Sequence, residues 1–418
     1  MAAGNRKSRE YETIPPGLCN RRVCIETYGC RYNFGDTAKL TEVLKRHGCT
    51  ISDSADDADI VIVNTCTVVG PTERRMLRRL SALRDRELYV TGCMPQVQKE
   101  AILSVCNPGF ISPDAIQEWY RGVGTVAAGS VGIVQLAQGC NGTCTYCITR
   151  KARGPLRSFL PDEIRRQVAA YAACGAAEIQ LTAQDVSSYG KDIGLSLAGL
   201  LNGIGDLPGN YRIRVGMMNP ATVRHDLDAI VESFSSERIF RFVHLPVQSG
   251  SDTILERMGR QYTVRDFCTI IAAFRKRYPE ITVMTDMIAG FPGETEEDFS
   301  ASLDLIRRIL PNKVNVTRYS KRPFTPLSQE KDILDSVKKD RSRIMLSCSE
   351  QVYAEVNRPW LGREVSFIVT ETIRKGSVMA RSPSYQGIVI NEDLPAGYEG
   401  RVVLKKDRKY FFLGERVT

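Results

Sequence analysis

The run GCNGTCTYC brings three cysteines together, Cys140, Cys144 and Cys147, in C-x3-C-x2-C spacing with no fourth cysteine in the run. A closed structural metal site usually takes four protein ligands, whereas three thiolates on a four-iron cubane leave one iron without a protein ligand. The alternatives are a zinc knuckle or unrelated core thiols, but no complementary Cys/His pair follows nearby. The spacing therefore predicts a [4Fe–4S] cluster whose fourth iron is open to a cofactor.

The same run, with the aromatic Tyr146 before its last cysteine, resembles the signature of the radical-SAM superfamily. An open iron beside a cofactor pocket is what S-adenosylmethionine (SAM) needs if it is to be chelated and cleaved to a radical. The resemblance implies that Cys140, Cys144 and Cys147 are catalytic and hold a SAM-binding cluster, and that Tyr146 is a cofactor-binding residue.

Composition and charge favour a cytoplasmic enzyme. The 418 residues suggest about two to three domains, and 43% hydrophobic with 25% charged residues permit a large core. The first twenty residues lack an apolar h-region and no apolar run approaches about 18 residues, so we expect no signal peptide and no membrane partner. Thirteen cysteines without a secretory signal favour reduced thiols. The net charge of +9 is compatible with a polyanionic partner.

The first hundred residues after a tail alternate short apolar runs with amphipathic stretches. Strands are predicted at Val23–Gly29, Asp59–Cys66 and Glu87–Cys93, with helices at Asn33–Gly48 and Thr72–Arg86 and another opening at Pro95. Such alternation predicts a Rossmann-like parallel sheet covered by helices. Ligands bind outside the carboxyl ends of strands in sheets of this kind. Residues 1–20 are predicted to be a disordered tail.

A second set of three cysteines falls at the ends of these strands. Cys30, Cys66 and Cys93 each lie at or just past the carboxyl end of one strand, in YGCRYN, NTCTV and TGCMPQ. A single strand-end cysteine would simply be buried, as cysteines often are. Because three successive strands end this way, we predict that the three thiols converge at one edge and hold a second cluster.

A second strand–helix series begins after the small-residue stretch Gly122–Ser130, which is predicted to be a linker. Strands are predicted at Ile133–Gln138, Glu178–Thr182, Tyr211–Gly216, Phe240–Leu245, Ile281–Ile288 and Lys313–Arg318. Helices are predicted at Pro161–Cys174, Leu195–Ile204, Ala221–Phe234, Val264–Tyr278 and Thr295–Leu310. Six repeats predict a partial (β/α)6 barrel with its chemistry at the carboxyl ends of the strands, which is where the C-x3-C-x2-C run lies.

The last sixty residues change to short β-like runs separated by Gly, Pro and Asn turns, which predict a small all-β barrel. Four basic residues surround the aromatic pair Tyr410 and Phe411; they are Lys405, Lys406, Arg408 and Lys409. Basic residues interleaved with aromatics suit a nucleic-acid surface. A solvated hairpin edge protected by lysines would look similar, so both interpretations stay open.

These three blocks, in this order, resemble the methylthiotransferase family of radical-SAM enzymes over nearly the whole chain. The motifs that carry the resemblance are YGCRYN, NTCTV, TGCMPQ, GCNGTCTYC, LTAQDVSSYG, HLPVQSGS and DMIAGFPGETEEDF, and the last segment resembles a TRAM domain. The resemblance implies an α/β protein with an N-terminal cluster domain at 21–121, a radical-SAM core at 131–345 and a TRAM-like RNA-binding domain at 357–418.

Within that family, CITRKARG and VGMMNP resemble the archaeal and eukaryotic branch. Members of that branch convert N6-threonylcarbamoyladenosine in tRNA, next to the anticodon, to its 2-methylthio derivative. The resemblance implies two [4Fe–4S] clusters, a first SAM that yields the radical, and a second SAM that methylates the sulfur held by Cys30, Cys66 and Cys93. It also implies the tRNA anticodon stem-loop, a low-potential electron donor and a sulfur source as partners.

Further residues are candidates for contact with SAM or RNA. Polar residues at the barrel strand ends are the candidates for SAM: Gln184, Asp185, Gln248, Ser249 and Asp286. Their alternative role is to cap the following helices. His244 is expected to be an inward-facing, hydrogen-bonded residue, and Thr295 with Asp298 to form a capping box. Further basic residues are the candidates for RNA: Arg150, Lys151, Arg153 and Arg157 after the cluster, and Arg74 and Arg78 on one helix face.

Three alternatives remain open. A methylthiotransferase of this kind could act on a different modified tRNA adenosine or on a ribosomal-protein side chain. From another class, the chain could be a non-catalytic RNA-binding protein with structural metal sites. That alternative predicts four-ligand zinc sites, whereas the chain offers two sets of three cysteines.

Overall fold

The computed structural model describes residues 14–68, 70–123 and 129–417. The described chain forms two compact units. The first unit takes in the residues up to 123 together with Lys151–Arg153, and the second takes in the remaining residues from 129 onward. Residues 1–13 of the predicted tail and residues 124–128 of the predicted linker lie outside the described residues. Disorder is wrong for the end of that tail, because Pro16–Leu18 form a 3-10 turn that buries Leu18 in the core.

The first unit is built on a five-stranded parallel sheet in the order β2-β1-β3-β4-β5. Its strands are β1 Arg22–Thr27, β2 Thr50–Ser52, β3 Ile60–Thr65, β4 Glu87–Gly92 and β5 Gly109–Phe110. Every residue of the central strand β3 is buried, as expected for a strand covered on both faces. Since β1, β3 and β4 are neighbours, their carboxyl ends lie side by side.

Helices cover both faces of this sheet. They are α1 Arg31–Arg46, α2 Gly70–Ala82, α3 Met94–Val97, α4 Lys99–Leu103 and α5 Pro113–Val123. One apolar cluster includes Leu40 and Leu44 of α1 and Ile116 of α5, and another includes Met76 of α2 and Ile102 of α4. The predicted alternation of strand and helix is confirmed, with α5 as an addition that the periodicity did not reveal.

The second unit contains six parallel strands in the order expected for a partial barrel. They are β6 Val131–Gln135, β9 Glu178–Thr182, β10 Arg212–Val215, β11 Phe242–His244, β12 Thr282–Ala289 and β13 Lys313–Arg318. Two three-stranded parallel sheets are formed, β10-β9-β6 and β11-β12-β13. Isolated parallel bridges, Ile213 to Ile239 and Met217 to His244, join them side by side. A short ribbon, β7 Ala137–Gln138 with β8 Arg157–Ser158, closes the loop after β6.

The predicted helices follow these strands with one exception, and the short helices Thr149–Arg153 and Asp252–Arg257 were not predicted. They are α6 Thr149–Arg153, α7 Pro161–Ala173, α8 Leu197–Gly205, α9 Pro220–Val223, α10 Leu227–Ser233, α11 Asp252–Arg257, α12 Val264–Arg277 and α13 Glu296–Ile309. The single helix predicted at Ala221–Phe234 is wrong, because Asp226 begins a second helix there. Aspartate is unfavourable in helix interiors, although the side chain of Asp226 makes no capping hydrogen bond here. Thr295 and Asp298 form the expected capping box of α13.

A 23-residue helix, α14 Asp335–Asn357, precedes the last strands and was not predicted. It spans residue 345, where the radical-SAM core was predicted to end. The strands after it close into a barrel: β14 Glu364–Arg374, β15 Ser377–Arg381, β16 Gly387–Ile390, β17 Glu399–Asp407 and β18 Phe412–Arg416. The predicted all-β barrel is thus confirmed. Within the described ranges, no helix has both the length and the apolar character needed to cross a membrane.

Candidate active site

The N-terminal cysteine triplet, Cys30, Cys66 and Cys93, follows three neighbouring strands. Cys30 is the N-cap of α1, Cys93 is the N-cap of α3, and Cys66 directly follows β3. Gly29 has φ +106°, and a Cβ there would lie 2.6 Å from Cβ and 3.0 Å from Sγ of Cys66. A glycine is therefore required for Cys66 to pack beside the residue that precedes Cys30.

Hydrogen bonds to Asn33 hold the loops of this triplet in place. Its Nδ2 donates to the carbonyl oxygens of Tyr28, at 2.8 Å, and Thr65, at 2.9 Å. Nδ2 of Asn64 donates in turn to the carbonyl oxygen of Asn33 at 2.7 Å. Asn33 is fully buried, so these bonds are shielded from water. Asn33 was not among the predicted site residues, although it lies in the motif YGCRYN.

Arg153 also belongs to the first unit and contacts the triplet. Its Nε donates to Sγ of Cys93 at 3.3 Å, Nη1 to Asp36 at 2.7 Å and Nη2 to Oδ1 of Asn33 at 2.6 Å. The guanidinium lies 4.9 Å from the centre of the Tyr32 ring. Arg153 was predicted to contact RNA, and we correct that assignment. A side chain that is 1% exposed and bound to a buried carboxylate does not reach a phosphate.

The thiols of this triplet influence one another electrostatically. The pKa of Cys66 is raised to about 11, chiefly by burial and then by the charges of Cys93 and Cys30. Desolvation and the charge of Cys93 likewise raise the pKa of Cys30. The three sulfurs thus lie close enough to repel one another when ionised. Three thiols that share one edge provide the donor set of a cubane with one open iron.

The barrel cysteine triplet, Cys140, Cys144 and Cys147, lies in the loop after β6 and β7. The backbone N–H of Gly142 donates to Sγ of Cys140 at 3.2 Å. A Cβ at Gly142 would lie 3.2 Å from that sulfur and 3.9 Å from Sγ of Cys144, so both sulfurs border one glycine. Burial raises the pKa of Cys140 to about 11, with contributions from the charges of Cys147 and Cys144. This triplet also has the donor set of a cubane.

The loop of the barrel triplet is held against the segment after α11. The backbone N–H of Thr145 donates to the carbonyl oxygen of Met258 at 3.0 Å. Gly259 has φ +68°, and a Cβ there would lie 2.7 Å from the carbonyl oxygen of Thr143. Nη1 of Arg260 donates to Sγ of Cys144 at 3.3 Å. Arg260 is a contact that the sequence analysis missed, because its partner lies 116 residues earlier in the chain.

Tyr146 packs edge-on against Phe291, with ring centres 6.0 Å apart. Burial raises the pKa of its phenol, so the hydroxyl stays protonated at ordinary pH. The aromatic residue of the motif thus forms part of a wall beside the barrel triplet.

The side chains predicted to meet SAM lie at the barrel strand ends, with different partners. Oε1 of Gln184 accepts the backbone N–H of Gly139 at 2.7 Å, directly before the cysteine loop. Asp185 is buried and accepts five hydrogen bonds, from the backbone and hydroxyl of Ser187, the hydroxyls of Ser188 and Thr222, and the backbone of Asn219. Its carboxylate therefore fixes the loop after β9, as the capping alternative predicted.

Asp286 joins three neighbouring strands of the barrel. Its Oδ1 lies 2.9 Å from Nε2 of His244 on β11 and accepts from Nδ2 of Asn315 on β13 at 2.7 Å. The interpretation of His244 as an inward-facing, hydrogen-bonded residue is confirmed. Asn315 is a further polar residue of this surface that sequence reasoning missed, although the register of β12 and β13 pairs it directly with Asp286.

Gln248 and Ser249 form the turn after β11. Gln248 has φ +72°, and its backbone N–H donates to the carbonyl oxygen of Asp286 at 2.8 Å. Ser249 is buried and accepts the backbone N–H of Ser251 at 3.2 Å. The fold therefore holds the Gln248 side chain, which is half-buried, beside the strand that carries Asp286.

The basic residues predicted to contact RNA differ in exposure and pairing. Those with exposed side chains are Arg74, Arg78, Arg150, Lys151, Arg157, Lys405, Lys406, Arg408 and Lys409. Lys405 pairs with Glu415, and Lys409 pairs with Glu350, both at 3.0 Å. Within the described part of the chain, Lys406 and Arg408 form no ion pair, which leaves their charges available to a polyanion.

No group of three or more His, Cys, Asp or Glu side chains in residues 14–68, 70–123 and 129–417 is arranged to hold one metal ion. A cubane binds each thiolate through a different iron, so its ligands stand further apart than ligands of one ion.

Known protein families match segments of both structural units. The family described as the Radical SAM superfamily matches residues 134–306, and Uncharacterized protein family UPF0004 matches residues 22–108. The radical SAM methyltransferase TsrM from Kitasatospora setae has a similar fold, with a TM-score of 0.53 over 74% of this chain and 77% of that chain, at 16% identity. The fold and the barrel triplet define a radical-SAM enzyme, a class that uses SAM and a [4Fe–4S] cluster.

Relatives that match nearly the full length of this chain show to which family of radical-SAM enzymes it belongs. A probable threonylcarbamoyladenosine tRNA methylthiotransferase of Pyrococcus horikoshii is 38% identical, covering 95% of this chain and 100% of the relative. The human threonylcarbamoyladenosine tRNA methylthiotransferase is 28% identical, covering 98% and 77%. A tRNA-2-methylthio-N(6)-dimethylallyladenosine synthase of Acetivibrio thermocellus is 32% identical, covering 91% and 87%. The chain belongs to the radical-SAM methylthiotransferase family.

Proposed function

We propose that this enzyme converts N6-threonylcarbamoyladenosine in tRNA, at the position next to the anticodon, to its 2-methylthio derivative. The reaction replaces the hydrogen on C2 of the adenine by S–CH3. The proposal is carried by similarity over 95% of the chain to a relative named for the threonylcarbamoyladenosine substrate. Its cytoplasmic setting, with an electron donor and a sulfur source as partners, is part of the same proposal.

Two [4Fe–4S] clusters are part of this proposal, one on each cysteine triplet. The support is the donor chemistry: three thiols at one sheet edge in the first unit, and three in one glycine-lined loop in the second. When bound, the clusters and SAM would supply a radical able to remove an unactivated hydrogen, and the sulfur and methyl group that replace it.

The chain's own residues would bind and orient these groups. We assign Tyr146, Gln184, Gln248, Ser249 and Asp286 to the surface that receives SAM. Asp185 would act indirectly, because its carboxylate fixes the loop after β9. His244 and Asn315 hold the carboxylate of Asp286 in one orientation.

RNA would be bound by the exposed basic residues. The TRAM-like barrel at 357–418 offers Lys405, Lys406, Arg408 and Lys409, and further contacts would come from Arg74, Arg78, Arg150, Lys151 and Arg157. Such residues bind phosphates, while unstacked bases of an anticodon loop stack on aromatic side chains. Arg153 is left out of this set because it is buried.

Iron counting tests the two-cluster proposal. Anaerobically reconstituted protein should hold about eight iron atoms, as two cubanes of about four. Replacing Cys140, Cys144 and Cys147 by Ala should halve the iron and abolish SAM cleavage. Replacing Cys30, Cys66 and Cys93 should also halve the iron, but SAM should still be cleaved to 5′-deoxyadenosine without methylthio product. Full iron in either variant, or product from the second, would refute the assignment.

Nucleoside analysis tests the substrate. Mass spectrometry of tRNA from cells with and without this gene should show loss of 2-methylthio-N6-threonylcarbamoyladenosine, with its unmodified precursor accumulating. The purified enzyme should be offered isopentenyladenosine tRNA in parallel, because one relative is named for a dimethylallyladenosine product. Product from that tRNA alone would replace the proposed substrate by the alternative one.

A further inference from the structure

Arg153 places a permanent positive charge beside one thiol of the N-terminal triplet. Its Nε–H points at Sγ of Cys93 at 3.3 Å, while the other two nitrogens bind Asp36 and Asn33. The side chains of Arg153 and Asp36 are each 1% exposed, so the pair is shielded from water. Because the pair is buried, removing either charge would leave the other one uncompensated and out of contact with water, at a large cost in free energy.

The charge balance changes when a cluster binds. Asp36 balances the charge of the guanidinium in this buried ion pair. A thiolate ligand adds negative charge at that sulfur, and the same N–H then makes a charge-assisted hydrogen bond. The bond from Arg153 to Cys93 therefore becomes stronger with the cluster in place.

The barrel triplet shows a similar arrangement within the second unit. Nη1 of Arg260 donates to Sγ of Cys144 at 3.3 Å, and the guanidinium lies 5.5 Å from the centre of the Tyr262 ring. Each triplet thus has one arginine that donates to one sulfur and lies over one tyrosine. The repetition at two separate sites favours a role toward the clusters over a purely structural role.

We propose that Arg153 is a positioning residue that fixes the sulfur of Cys93 and raises the reduction potential of the cluster held by the N-terminal triplet. Hydrogen bonds to ligand sulfurs and nearby positive charge stabilise the reduced, more negative state of a cluster. Asp36 acts in the opposite direction, because its negative charge disfavours that state. The inference rests on the proposed function, since it requires this triplet to hold a cluster.

The test uses the full chain with Cys140, Cys144 and Cys147 replaced by Ala, so that one cluster remains. After reconstitution with iron and sulfide, the cluster is titrated with a one-electron chemical reductant and followed by electron paramagnetic resonance. Arg153→Gln should give a more negative midpoint potential. Arg153→Lys keeps the charge without the planar fork, so its potential should lie between those of the parent and Arg153→Gln. Asp36→Asn should give a less negative potential.

Opposite shifts in Arg153→Gln and Asp36→Asn distinguish this role from mere support of the fold. Arg341→Gln is the matched control, because Arg341 is a buried arginine paired with Glu294 in the other unit; its potential should equal that of the parent. If circular dichroism shows that Arg153→Gln is folded but the variant loses its iron, the positioning of Cys93 is supported. The midpoint potential is then compared between Arg153→Lys and the parent. If Arg153→Gln is unfolded, Arg153→Lys decides alone.

Equal midpoint potentials in the parent and the Arg153 variants, with about four iron atoms in each, would overturn this inference and leave the proposed function intact. A parent that holds no iron would instead show that the N-terminal triplet binds no cluster. The two failures are therefore distinguishable by iron content alone.

Discussion

At the residue scale, the fold raises the pKa of the thiols of Cys66 and Cys140. Burial is the main cause that raises the pKa of each to about 11. Without metal, both side chains are therefore neutral thiols near pH 7. Iron binds the thiolate, so loading a cluster must release these protons.

We expect iron to bind the apoprotein more tightly at a pH of about 9 than at about 7, because fewer protons must then be displaced. Iron titrations at both values, with calorimetry in two buffers of different ionisation enthalpy, would measure affinity and proton release. Cys66→Ala combined with Cys140→Ala should release fewer protons. Affinity that is independent of pH would contradict the raised pKa values.

The same pKa values predict how the stability of the apoprotein depends on pH. The folded state holds these protons more tightly than the unfolded chain, whose thiols ionise near the ordinary value of 9.0. The stabilisation is thus present below that pH and is lost as the pH rises toward about 11. Denaturant unfolding of apoprotein across this window should show falling stability, and the Cys66→Ala, Cys140→Ala variant should show a smaller fall.

At the scale of elements, the loop between β15 and β16 attaches the C-terminal barrel to the amino-terminal ends of the strands in the larger barrel. Tyr385, with φ +62°, packs its ring 4.9 Å from Phe240 and 4.8 Å from Phe242. Its hydroxyl donates to Glu178 at 2.6 Å. Glu178 is fully buried at the start of β9, and the same oxygen also accepts from Nε2 of Gln180 at 2.7 Å, so the tyrosine is one of two donors to an oxygen that water does not reach.

Tyr385→Phe should lower the free energy of unfolding of the second unit by about 0.5–1.5 kcal/mol, because Oε1 of Glu178 loses one of its two donors and keeps Nε2 of Gln180. Guanidinium unfolding would measure the loss, and hydrogen exchange at 240–242 would locate it. Tyr410→Phe is the control, since that ring is 53% exposed and the change should have little effect. Equal stability of Tyr385→Phe and the parent would show that this bond does not anchor the barrel.

At the scale of the whole molecule, the net charge is +9, and exposed basic residues lie at both ends of the C-terminal barrel. β14 and β17 are antiparallel, with Glu364 opposite Val403. The end of β17 and the turn after it, with Lys406 and Arg408, therefore lie at the end of the barrel where β14 begins. The turn after β14, with Arg374 and Lys375, lies at the opposite end.

Lys406→Ala combined with Arg408→Ala should weaken tRNA binding and reduce the slope of log affinity against log salt by about two, one for each lost phosphate contact. SAM cleavage without RNA should be unchanged. Arg374→Ala combined with Lys375→Ala removes the same charge from the opposite end and should leave the slope near that of the parent. Binding titrations over a range of salt would decide this. Equal slopes in both variants would show that the basic turn does not contact RNA.

The sequence by itself determined the features that local spacing encodes. The C-x3-C-x2-C run, the alternation of strand and helix, and the capping box at Thr295 each depend on residues a few positions apart. Glu178–Thr182 and Lys313–Arg318 are strands with the predicted bounds, because apolar runs between turn residues have few alternative structures. The position of Cys30, Cys66 and Cys93 at one sheet edge also followed, since parallel strands end together.

Only the tertiary structure decided what each polar side chain contacts. Arg153 looked like one more exposed arginine beside Arg150 and Lys151, yet its partner Asp36 lies 117 residues earlier. Asp185 accepts hydrogen bonds from Asn219 and Thr222, which lie 34 and 37 residues later, and Asn315 was revealed by the register of β12 and β13. A charged side chain is buried only where distant elements supply its partners, and no local pattern records which elements those are.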